Sequence, residues 1–207
     1  EELQKAYEEI AINGDLFHKS GAYPPTLGNI DFKKAVIKFE KHVYNMQSLD
    51  TSQITVGLGS TQLAMDLLRV ILDPGDKILL LDPSYCNYPT QIITGIPDIS
   101  ILRFPILDDR TWEYLPDSKI NEFHEFILEN KPKMILLISP DNPTSKILSD
   151  KFVNATLEAV IDIGSFLVID YAYKEIVFNK AYPKYYSWGP NDNYISLRSN
   201  SKWCRGL

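Results

Sequence analysis

The sequence predicts an α/β fold, a mostly parallel β-sheet covered by helices. Three observations carry that prediction. From about residue 53 onward, short apolar runs alternate with stretches of helical periodicity. The runs at residues 77–81 and 134–139 are apolar almost continuously rather than at every second position, as in strands covered on both faces. Most runs end in a turn rich in polar groups, the pattern of a sheet whose strand ends build a site.

The elements follow in order. Residues 1–12 read as an amphipathic helix with Leu3, Tyr7 and Ile10 on one face, and Gly14 as its stop. Tyr23-Pro24-Pro25-Thr26-Leu27-Gly28 is rigid and turn-rich. A second helix is expected over residues 31–44, with Asp31 as cap and Phe32, Val36, Phe39 and Val43 inward. Residues 53–56 look like a strand that breaks at Gly57-Leu58-Gly59-Ser60-Thr61, and a helix then runs to Leu72. Strands are expected at 77–81, 99–104, 134–139, 166–169 and 194–198. Between them, a helix capped by Ser149 spans 149–163 and closes at Gly164. Glu122 and Glu125, flanking His124, read as a helix surface, and Asp108-Asp109 as a turn.

Composition narrows the function class. The 207 residues suffice for a sizeable core, and a formal charge of -6 with scattered Lys and Arg offers no nucleic-acid surface. No apolar run approaches a membrane span, and the start carries no signal-peptide pattern. Cys86 and Cys204 lack CxxC spacing, which favours a reducing, cytoplasmic setting without zinc or a disulfide framework. His18, His42 and His124 have no metal-ligand spacing, so no metal site is expected. The chain begins at Glu1 without a methionine and stops at Leu207, and both ends read as cut.

The chemistry gathers at the expected strand ends. These carry Gly59-Ser60-Thr61, Tyr85, Asn142, Asp170 with Tyr173, and Ser199 with Lys202. Ser60 and Thr61 fall where a helix begins, so free amides and the dipole favour a phosphate there. A lysine beside hydroxyls at the mouth of a sheet can form a Schiff base with an aldehyde cofactor. A dinucleotide-binding fingerprint competes: Gly57-x-Gly59 follows the expected strand, and Asp82 closes the next one. Gln62 at the third glycine position argues against it, because close helix–strand packing is required there.

Ser139-Pro140-Asp141-Asn142-Pro143-Thr144, Asp170-Tyr171-Ala172-Tyr173 and Ser199-Asn200-Ser201-Lys202 together resemble three ordered motifs of the fold-type I pyridoxal-phosphate enzymes, class I/II aminotransferases. The Tyr23–Gly28 stretch is similar to a fourth. The resemblance implies pyridoxal 5′-phosphate as cofactor, an amino acid and a 2-oxo acid as substrates, and a homodimer. It implies Lys202 as the internal-aldimine lysine and proton-moving base, Asp170 as partner of the pyridine nitrogen, and Asn142 and Tyr173 on the ring's 3′-oxygen. Tyr85 would stack on the ring, Ser60, Thr61 and Ser199 would bind the phosphate, and Tyr23 would reach the phosphate of the other subunit.

Three positions depart from the family pattern. Tyr171 stands where an acid is usual, Ser145 replaces the glycine after Asn-Pro-Thr, and Tyr85 stands where many aspartate-type members carry tryptophan. Ser145 is expected to reshape its turn. Arg205 lies too close to Lys202 to be the family's phosphate-binding arginine. The resemblance also implies a helical segment over residues 1–50, an incomplete cofactor-binding large domain over 51–207, and no small C-terminal domain. On the family's strand order, a further strand would lie between residues 53–56 and 194–198, leaving an unpaired edge on each. Low activity is therefore expected of the chain as given. A lyase or decarboxylase on the same scaffold, or a non-catalytic domain, are the competing functions.

Overall fold

The computed structural model describes residues 1–203; Cys204 and Arg205, weighed above, lie outside them. Five strands form one sheet in the order β2-β1-β3-β4-β5. They are β1 (Lys77–Asp82), β2 (Ser100–Pro105), β3 (Met134–Ile138), β4 (Phe166–Tyr171) and β5 (Tyr194–Arg198). Every pairing among them is parallel, as the continuous apolar runs require.

The strand period of two sorts each run between two cores. Leu79, Leu81, Ile135, Leu137, Leu167, Ile169 and Tyr171 pack on one face, with α6 (Ile120–Asn130) and α7 (Asp150–Asp162). Ile78, Leu80, Leu136, Ile138, Val168 and Leu197 pack on the other, with α4 (Gly59–Ile71) and α5 (Asn87–Gly95). All of β3 is buried, and each such side chain contributes about 2 kcal/mol through the area it removes from water. Asp170 follows Val168 on the α4–α5 side, which is how a carboxylate enters an otherwise apolar face.

The N-terminal part departs from expectation. Gly14 does not end the structure; it opens α2 (Gly14–Ser20), because the Asn13 side chain accepts from the amides of Asp15 and Leu16 and caps it. Neither α1 (Glu2–Ile12) nor α2 has a buried residue, and Leu3, Tyr7 and Ile10 stay 36–50% exposed. The cap of α3 (Ile30–Tyr44) is Asn29 rather than Asp31, since its amide oxygen accepts from the Asp31 and Phe32 amides. Phe32 is exposed and Val36, Phe39 and Val43 are half-buried; the buried residues of α3 are Lys33, Glu40 and Tyr44.

Residues 53–56 are not a strand. A 3-10 turn occupies Thr51–Gln53, where Asp50 accepts from the Ser52 amide and the Gln53 side chain accepts from the Asp50 amide. This capping box spends Gln53 on a turn. The Ile54-Thr55-Val56 run then lies against Gly28, whose φ is +96° and where an added Cβ would fall 2.5 Å from Val56 Cβ, leaving no room for a side chain. Without a strand before Gly57, the dinucleotide-binding reading fails. Gln62 instead accepts from the Leu58 amide at 2.8 Å. Asp82 pairs with Arg103 at 3.7 Å.

Among the described residues β5 pairs only with β4, so its outer edge is open. No described helix is long and apolar enough to cross a membrane.

Candidate active site

The carboxyl ends of β1, β3, β4 and β5 meet the first turn of α4 in one cleft of about 180 Å³. Ser60 and Thr61 come from α4, Tyr85 follows β1, Asn142 follows β3, Asp170 and Tyr173 come from the end of β4, and Ser199 and Lys202 follow β5. Eight of the residues expected from the sequence therefore line one wall system. Tyr23 does not: its side chain is fully exposed and it is not among the lining residues.

Asp170 is the buried charge of the cleft, 6% exposed. Its Oδ2 accepts from the Tyr88 hydroxyl at 2.5 Å and its Oδ1 from the Ala172 amide at 2.8 Å. Burial pushes its carboxyl above the usual carboxylate range; the two hydrogen bonds and the Lys202 charge pull the other way without cancelling it. Lys202 Nζ lies 5.6 Å from the centre of the Tyr173 ring, so amine and phenol share one end of the cleft.

The remaining walls are set by local hydrogen bonds. The Tyr85 hydroxyl accepts from Asn87 Nδ2 at 2.8 Å, and its ring meets that of Tyr88 edge-on, 5.6 Å between centroids. Asn142 sits in a loop tied down by its neighbour: Asp141 Oδ2 accepts from the Thr144 hydroxyl and amide, and the Asp141 carbonyl accepts from the Ser145 amide. The Ser199 hydroxyl donates to Ser201 Oγ at 3.0 Å and shapes the lysine turn. No side chain caps α4, so first-turn amides remain free to meet an anion beside the Ser60 and Thr61 hydroxyls.

Sequence reasoning missed Tyr88 and Gln91, both on α5 and both lining the cleft. The available signal was the Tyr85-x-x-Tyr88 spacing, which places two rings on one side of a helical turn. Pro89 hid that helix, although proline is tolerated in a first turn. Gln91 Oε1 is buried with no hydrogen-bond partner among the described residues, an acceptor left open in the wall.

The donor set fits pyridoxal 5′-phosphate. An amine, a buried carboxylate, an aromatic ring and an uncapped helix start face one cavity, and the carboxylate has no ion-pair partner among the described residues. No described group of three or more His, Cys, Asp or Glu side chains is arranged to hold a metal.

Known proteins share both the sequence and the fold. Histidinol-phosphate aminotransferase of Clostridium novyi is 29% identical over 80% of this chain, and the L-glutamine–4-(methylsulfanyl)-2-oxobutanoate aminotransferase of Bacillus subtilis is 27% identical over 78%. The chain spans 42% and 39% of their lengths. Among solved structures, YbdL of Escherichia coli, described with a methionine aminotransferase function, superposes with a TM-score of 0.79 at 20% identity. That match covers 97% of this chain and 50% of the other. The aminotransferase class I and II family model matches residues 3–204, and the chain belongs to that family, whose members depend on pyridoxal 5′-phosphate.

Proposed function

We propose that the protein serves as a pyridoxal-phosphate-dependent aminotransferase, moving an amino group between an amino acid and a 2-oxo acid. The observation that carries this reading is the convergence of Lys202, Asp170, Tyr173 and Asn142 on one cleft at the carboxyl edge of a parallel sheet. When bound, the cofactor supplies an electron sink for the pair released at the substrate Cα.

Lys202 would hold the cofactor through its Nζ and would serve as the base that takes the proton from the substrate Cα and hands it on. Asp170 would pair with the cofactor's ring nitrogen and favour its protonated form by opposing charge. Asn142 and Tyr173 would donate to the ring's 3′-oxygen, Tyr85 would cover a ring face, and Ser60, Thr61 and Ser199 would take the phosphate. The free amides of the α4 start support that last assignment.

The reading extends to a homodimer in the cytoplasm, with Tyr23 reaching the phosphate of the partner's site. The full exposure of Tyr23 away from its own cleft supports a role in trans. It also divides the chain into a helical segment, residues 1–50, and a cofactor-binding part, residues 51–207. The lack of buried residues in α1 and α2 supports setting residues 1–20 apart, whereas α3 packs with the cofactor-binding part through Glu40 and Tyr44.

Borohydride trapping tests the assignment. The protein with added pyridoxal phosphate should absorb in the visible and, after reduction, carry the adduct on Lys202; Lys202→Ala should lose it. Trapping on a different lysine refutes the site. An amino donor alone should then convert the bound cofactor stoichiometrically to pyridoxamine phosphate. Catalytic product release without an oxo acid would instead identify a lyase.

A further inference from the structure

Asp170 has an unusual problem for a carboxylate meant to hold a proton on its neighbour. It sits on an apolar sheet face, and among the described residues Lys202 is the one cation acting on it, more weakly than burial or either hydrogen bond. Two donors offset the lost water. One is the Ala172 amide, fixed by the backbone. The other is the Tyr88 phenol, 82 residues away in sequence, at 2.5 Å from Oδ2. Among the described residues it is the sole side-chain donor to Asp170.

Tyr88 is built for constancy. Its side chain is 3% exposed and belongs to the same apolar cluster as Ile92 and Ile138, so its ring cannot swing away without opening the core. Burial, and then the Asp170 charge, push its ionisation far above the ordinary phenol value, so it remains a donor throughout the working pH range. An ionised carboxylate only accepts, which fixes the direction of the bond. Donation to Oδ2 at one end and to Oδ1 at the other also locks the carboxylate plane.

We propose that Tyr88 is a positioning residue that fixes the rotamer of Asp170 and keeps its carboxylate ionised toward the cleft. Without the phenol, one of the two hydrogen bonds opposing burial is lost, so Asp170 takes up a proton at still higher pH, leaving no fixed charge opposite a ring nitrogen. The link between Tyr88 and Asp170 stands on the cofactor-free protein; its effect on ligand retention rests on the function proposed above.

The first measurement uses the cofactor-free protein: a carbon-13 NMR titration of the Asp170 carboxyl, its signal assigned by loss in Asp170→Asn. Tyr88→Phe should raise the titration midpoint by about one pH unit, tenfold in proton affinity. Replacing Tyr88 with 3-fluorotyrosine, a stronger donor of the same shape, should lower it. Unmoved midpoints in the folded variants overturn the proposal, and the fluorinated side chain keeps it testable should Tyr88→Phe fail to fold. The second measurement is the dissociation constant of pyridoxal phosphate by absorbance. It should rise about tenfold in Tyr88→Phe but not further when Tyr88→Phe is added to Asp170→Asn. An equal loss in the Asp170→Asn background overturns a role through Asp170. Failure of the unaltered protein to bind pyridoxal phosphate refutes the reading of the cleft, while the NMR midpoint still decides the role of Tyr88.

Discussion

Ser145 adopts φ +60°, the left-handed region that glycine enters freely and a serine enters at about 1 kcal/mol. The family pattern has glycine there, and the expected change of turn shape did not require leaving that region. The Asp141 carbonyl holds the Ser145 amide at 2.9 Å and keeps the residue strained. Ser145→Gly should therefore raise the melting temperature slightly, the relief offset in part by glycine's greater unfolded-state freedom; a drop in melting temperature would contradict this. Asn142, Asp170 and Lys202 were legible in the sequence because each sits in a short motif at a strand end. Tyr88, Gln91 and Lys174 were not, because their importance lies in contacts made across the chain. Tyr88 meets Asp170, and Lys174 meets Glu40 134 residues away.

The elements were read best where burial is complete. The nearly fully buried runs of β1, β3 and β4 announce themselves, whereas residues 53–56 have β-branched side chains without a strand to pair with, and composition alone does not separate them from the half-exposed β2 and β5. Helix α3 mixes the two: Phe39 and Val43 pack against the core as expected, yet Lys33 and Glu40 are among its buried residues and charge also anchors it. Glu40 accepts from Lys174 Nζ at 2.9 Å and from Arg198 at 2.7 Å, and Arg198 also pairs with Glu175. Lys174 is 1% exposed, donates to the Tyr186 carbonyl at 2.8 Å, and lies 4.0 Å from the centre of the Tyr44 ring. Removing one partner of such a buried pair strands the other charge, so Glu40→Gln should destabilise by about 3 kcal/mol in urea unfolding. Adding Lys174→Met should recover part of that loss. Simple additivity of the two substitutions would argue against direct coupling. Asn29→Ala, which removes the cap of α3, should lose about 1 kcal/mol in the same assay.

At the scale of the whole molecule, the same cluster shapes the response to pH. Burial lowers Lys174 from 10.5 to about 8, outweighing Glu40 and Glu175, while Arg198 lowers it further. A lysine depressed in the folded state binds fewer protons there than when unfolded, so stability rises with pH from about 8 toward 10.5. Tyr44, Tyr171, Tyr185, Tyr186 and Tyr194 are pushed above the ordinary 10.0 by burial. Their sign is opposite: stability is full below 10.0 and is lost as pH climbs beyond it. The unfolding midpoint should thus peak between about pH 8 and pH 10, and Lys174→Met should abolish the rising limb; a rise that survives the substitution would assign it to another group. The parallel architecture was legible from the alternation of runs. The strand order was not, because register depends on which faces meet. That order has a mechanical consequence. Tyr85 and Asn142 follow β1 and β3, and Asp170 lies at the end of β4, while Lys202 and Ser199 hang from β5, joined to the described sheet on one side and clasped at its end by Arg198. The anchor and the floor of the site are therefore separable parts. Fraying of one border strand, visible as the fastest amide exchange of the five, would withdraw the lysine and leave a ligand held by fit alone.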